Sequence, residues 1–83
     1  MSYSLTKHAR CAMLERGIAT GWLELAIEFP DQIESDRFDP DLIHHLKVVP
    51  QHGNRVLRVV LAKGEIPFRV VTVYFDRGMK GKL

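Results

Sequence analysis

The stretches Arg55-Val56-Leu57-Arg58-Val59-Val60-Leu61-Ala62-Lys63 and Phe68-Arg69-Val70-Val71-Thr72-Val73-Tyr74-Phe75-Asp76 decide the fold. Both are dense in β-branched, aliphatic and aromatic residues with period-two patterning, and the turn chemistry of Lys63-Gly64-Glu65-Ile66-Pro67 separates them. Upstream, Leu42 to Val49 reads the same way and is closed off by Pro50-Gln51-His52-Gly53-Asn54. Connections this short make the three strands antiparallel neighbours. Leu57, Val59 and Leu61, with Val71, Val73 and Phe75, are expected to face the core. Val56, Arg58, Val60, Phe68, Val70, Thr72 and Tyr74 are expected on the other side, a half-apolar surface suited to ligand or subunit contact.

The chain before these strands is helical. Thr6 is placed to cap a helix from Lys7 to Arg16, and Gly17 stands where a left-handed C-terminal cap is wanted. Leu5, Ala9, Ala12 and Arg16 fall on one stripe of it, flanked by His8 and Met13. A second helix spans about Thr20 to Phe29, with Trp22, Leu25, Ala26 and Phe29 at helical spacing and Glu24 and Glu28 opposite; Pro30 stops it. Tyr3 to Leu5 can add a short first strand, and Gln32 to Ser35 can pair with an edge. The expected fold is α+β: two helices packed on one side of an antiparallel sheet of three to four strands.

At 83 residues the chain fits a single domain, residues 1–83, and leaves no room for a two-domain enzyme. A domain this small buries only roughly 60% of its unfolded surface, which keeps a homodimer in play. Its lone cysteine, Cys11, excludes an internal disulfide and a cysteine-based zinc site. With a polar N-terminus and no long apolar run, the expected compartment is the cytoplasm and no membrane is involved. The net charge of +2 is small for a protein that must hold a polyanion, but it is unevenly spread. Asp31, Glu34, Asp36, Asp39 and Asp41 crowd one connector with Arg37 alone against them. From Arg55 onward the bases Arg55, Arg58, Lys63, Arg69, Arg77, Lys80 and Lys82 face only Glu65 and Asp76.

Thr6-Lys7-His8-Ala9, Glu15-Arg16-Gly17-Ile18, the helix end at Pro30-Asp31, Leu42-Ile43-His44 and Val71-Thr72-Val73-Tyr74-Phe75-Asp76 resemble an uncharacterised bacterial family of small domains, a domain of unknown function. That family is similar in fold to RelE/ParE-like toxins and barnase-like nucleases. The resemblance implies a β-α-α-β-β-β order and cleavage of RNA without metal or other cofactor.

Such cleavage needs a base for the 2′-hydroxyl, an acid for the leaving 5′-oxygen and cations around the phosphorane. His8, beside the free N–H groups of a helix start, and His44 supply acid/base candidates, together with Tyr74. Arg58, Arg77 and Lys80 are the phosphate or RNA contacts. Each has a plainer role beside it: a packing histidine for His8 and for His44, a solvated cross-strand pair for Arg58 and Tyr74, a frayed basic tail for Arg77 and Lys80. Arg16, central in an apolar stripe, needs a partner and is assigned a structural ion pair. His44 and His45 point to opposite faces of a strand, and no metal-ligand spacing links them to His8 or His52, so no metal is expected. Two non-catalytic readings compete: a homodimer formed through the Val56, Val60, Val70, Tyr74 face, and a toxin-type fold that only binds an antitoxin-like protein.

Overall fold

Thr6 begins the first helix and secures a strand edge with the same hydroxyl: Oγ1 accepts the N–H of Ala9 at 3.0 Å and donates to the carbonyl of Val71 at 2.9 Å. In the computed structural model, which describes residues 3–65 and 67–83, the chain runs β1 (Tyr3–Leu5), α1 (Lys7–Arg16), α2 (Thr20–Glu28), β2 (Gln32–Ser35), β3 (Leu42–Val49), β4 (Arg55–Ala62) and β5 (Phe68–Asp76). Short 3-10 turns occupy Pro50–His52 and Arg77–Met79. Ile66, in the second expected turn, lies outside the described residues, as do Met1 and Ser2. Gly17 closes α1 at φ 63°, and Gly53 and Asn54 turn β3 into β4 at φ 66° and 57°, left-handed values that glycine and asparagine tolerate best.

The fold is α+β with both helices as expected, but the sheet has five strands and is mixed. Its order is β1-β5-β4-β3-β2. The strands β2 to β5 pair antiparallel, while β1 lies parallel to β5 with Tyr3 opposite Phe68 and Leu5 opposite Val70. Having only three residues, β1 covers the start of the β5 edge and no more. Beyond it the carbonyls of Val71 and Val73 are taken by Thr6 and by Arg16 Nη1, at 2.9 and 3.1 Å, so α1 finishes closing that edge.

The core lies between the helices and one sheet face: Ala9, Met13, Leu23, Ala26 and Ile27 pack on Leu57, Val59, Leu61, Val70 and Val73. Two assignments of facing residues change. Leu23, Ala26 and Ile27 form the buried stripe of α2, and Leu25 and Phe29 are exposed. Both stripes are apolar, so spacing alone does not choose between them. In β5, Val60 pairs with Thr72 but Leu61 pairs with Val70, leaving Val71 as an extra residue in a β-bulge. The bulge reverses the side-chain alternation, so Val70 and Phe68 reach the core side in place of Val71. The opposite face is not open either. Val56, Val60 and Leu46 are buried there, and Arg58 lies across it only 9% exposed.

Candidate functional site

That opposite face carries a chain of charged groups laid out by strand register. Arg58 on β4 sits between Leu46 of β3 and Tyr74 of β5, and His44 on β3 sits between Glu34 of β2 and Val60 of β4. The guanidinium donates from Nε and Nη2 to Asp76 Oδ2 at 2.9 and 2.8 Å, and from Nη1 to Glu34 Oε1 at 3.1 Å and His44 Nδ1 at 2.8 Å. Because Nδ1 of His44 accepts, the ring proton belongs on Nε2, which donates to Asp36 Oδ1 at 2.7 Å. Asp36 Oδ2 in turn accepts the N–H groups of Phe38 and Asp39, at 3.1 and 2.8 Å.

The electrostatics follow from these bonds. The Asp39 amide, then His44 and the Phe38 amide, hold Asp36 below the ordinary carboxylate value. Partial burial works against the charge on Arg58, but its bonds to Glu34 and Asp76 outweigh it and raise its pKa.

Arg58 therefore stands beside its register partner Tyr74 and its hydrogen-bond partner His44. His8 reaches the same strand, with Nε2 3.1 Å from the hydroxyl of Thr72, two residues before Tyr74. Both nitrogens of His44 are occupied, however, and Arg58 is matched by two carboxylates. His45 lies on the other face, bonding the Ala26 carbonyl through Nδ1 at 3.0 Å. The partner of Arg16 is a carbonyl, and no carboxylate among the described residues lies within ion-pair distance of it. Its Cα falls at the exposed end of α1, where the guanidinium stretches to the strand edge, so the expected ion pair is replaced.

A second group gathers at the C-terminal end of β5. One cleft of about 450 Å³ is lined by Arg55, Phe75, Asp76, Arg77 and Lys80. A smaller one of about 220 Å³ adjoins it, lined by Arg16, His52, Arg55, Tyr74, Phe75 and Arg77. They share Arg55, Phe75 and Arg77 and so form one basic depression. Among the described residues, Arg55, Arg77 and Lys80 have no carboxylate within ion-pair distance. His52 is fixed in the wall by stacking on Phe75, centroids 4.6 Å apart at 23°, with Trp22 at 5.4 Å on it. Sequence reasoning reached Tyr74, Arg77 and Lys80 but missed Arg55 and His52, which the left-handed Gly53-Asn54 turn brings alongside β5. The one signal for them was the excess of bases after Arg55.

The sequence profile of a domain of unknown function, DUF4258, matches residues 5–75. The chain belongs to the DUF4258 family. The matched range takes in α1, α2 and β2 to β4 entire and all of β5 except Asp76, while Asp76, Arg77 and Lys80 of the basic depression lie beyond it. No curated protein and no solved structure matches the chain. No helix among the described residues is long and apolar enough to cross a membrane.

Proposed function

We propose that this DUF4258 domain is a metal-independent endoribonuclease that holds an RNA phosphodiester in the depression at the end of β5. One observation carries the reading: Arg16, Arg55 and Arg77 line one depression together with His52 and Tyr74. Guanidinium forks match phosphate oxygens, and among the described residues none of the three has a carboxylate within ion-pair distance. The resemblance to RelE/ParE-like toxins and barnase-like nucleases supports the same chemistry.

In this reading neutral His52 takes the 2′-hydroxyl proton as the 2′-oxygen attacks phosphorus. Tyr74 gives its phenolic proton to the 5′-oxygen as the P–O5′ bond breaks. A 2′,3′-cyclic phosphate and a 5′-hydroxyl result. The arginines offset the charge gathering on the phosphorane. Lys80 extends the same electrostatic track to the neighbouring phosphate. His44 is given a structural part, since a base whose lone pair is already bonded to Arg58 cannot also receive a proton. The homodimer reading has less apolar surface to draw on, because Val56, Val60 and Val70 are buried within the subunit.

The test is labelled single-stranded RNA incubated with the protein, with and without EDTA. Fragments ending in cyclic phosphate are expected in both conditions, with loss in His52→Ala and Tyr74→Phe and no cleavage of the matching DNA. Cleavage that survives both substitutions overturns the assignment.

A further inference from the structure

The closed network beneath the sheet and the open cleft at its end share one carboxylate. Asp76 lines the cleft together with Arg55, Arg77 and Lys80, all of them cations without a carboxylate of their own among the described residues. Yet its Oδ2 is held from the other side, by Nε and Nη2 of Arg58 at 2.9 and 2.8 Å, and its Oδ1 accepts the N–H of Gly78 at 3.0 Å. Two N–H groups of one planar fork on one oxygen give a firmer hold than a single flexible surface cation can offer. The fork is itself oriented: Nη1 is shared between Glu34 and His44, and the His44 ring is aimed by Asp36.

Resting on the reading of the cleft as an RNA site, we propose that Arg58 is a positioning residue that draws Asp76 away from Arg55, Arg77 and Lys80 and so leaves them open to phosphate. Arg58 is poorly placed to bind phosphate directly. Its side chain is 11% exposed and two carboxylates already answer its charge. When Arg58 is removed, the Asp76 carboxylate, already in the cleft wall, is free to turn to its cations and competes with RNA for them.

A double-mutant cycle separates this role from direct contact. Arg58→Met is expected to weaken RNA binding about tenfold, and Asp76→Asn to strengthen it far more on the Arg58→Met background than on the native one, so that the double variant returns within about threefold of native, a coupling well outside additivity. A direct phosphate contact by Arg58 predicts additive effects instead, and a double variant as weak as Arg58→Met overturns the proposal. Melting curves establish that each variant is folded, and Arg58→Lys, which keeps the charge without the fork, serves if Arg58→Met is not; it is expected to bind about threefold more weakly than native, and native affinity in it overturns the proposal. One readout needs no RNA: solvent exchange of the Arg55 and Arg77 Nε–H groups, followed by NMR, slows in the Arg58 variant as Asp76 turns to them. Unchanged exchange overturns the positioning role even where RNA binds, whereas slowed exchange in a protein that binds no RNA overturns only the reading of the cleft.

Discussion

Nδ1 of His44 accepts a hydrogen bond from Nη1 of Arg58 at 2.8 Å, and beside the direct Arg58–Glu34 contact it ties Asp36 of the acidic connector to the middle of the sheet. Replacing His44 by Phe keeps the ring's bulk and removes both bonds, leaving an N–H of Arg58 without an acceptor in a poorly hydrated position. The expected cost is about 1–3 kcal/mol of folding stability. Urea denaturation at neutral pH measures it, and a midpoint equal to the native one contradicts the structural role given to this histidine.

Asp36 links stability to acid. Its folded pKa lies below the ordinary value of 3.8, chiefly through the Asp39 amide, then His44 and the Phe38 amide. A carboxylate whose pKa is depressed by folding stabilises fully above its unfolded value and loses that contribution as pH falls through the folded one. Stability should therefore be level near neutrality and decline below about pH 4. Asp36→Asn should flatten that acid limb, as denaturation midpoints measured between pH 2 and pH 7 will report.

Arg55→Ala and Arg77→Ala should each weaken binding of single-stranded RNA and lower the slope of log affinity against log salt by about 0.7, the loss of one phosphate contact. Arg69→Ala is the control, since Arg69 pairs with Glu65 at 3.1 Å away from the cleft. Fluorescence anisotropy across a salt series distinguishes them, and equal slopes in all three variants count against the cleft.

Thr6→Ala removes both duties of one hydroxyl, the helix cap and the bond to Val71. A loss of about 1–2 kcal/mol is expected, at the upper end for a cap, with Thr6→Ser close to native. Chemical denaturation of the pair tests this, and a loss shared equally by Ser and Ala means that the methyl group, not the hydroxyl, matters.

Much of this architecture was legible in the chain because its punctuation is local. Thr6 and Gly17 bracket α1, Pro30 ends α2, and Pro50 and Gly53 separate β3 from β4, each through its own backbone chemistry. What was not legible depends on pairing. The parallel seat of β1 on β5 joins residues more than sixty positions apart, and the bulge at Val71 exists only because β4 fixes the register on either side of it. The site divides the same way. Tyr74, Arg77 and Lys80 follow one another on the chain and could be read together, whereas Arg16, His52 and Arg55 arrive from a helix end and a turn, with no motif in common. The histidine that stood out beside an aliphatic run, His44, proved to be saturated by Asp36 and Arg58.

The extra residue at Val71 also protects the strand that contains it. Phe68 and Val70 before it and Val73 and Phe75 after it are out of phase in sequence yet all turn toward the helices. Sliding β5 past β4 by one position would expose both halves at once, and sliding by two would move the bulge away from the place where the phase changes. The strand thus has a single setting that hides all four side chains. Mispaired or exchanged arrangements, to which a strongly apolar strand is otherwise prone, begin at a disadvantage.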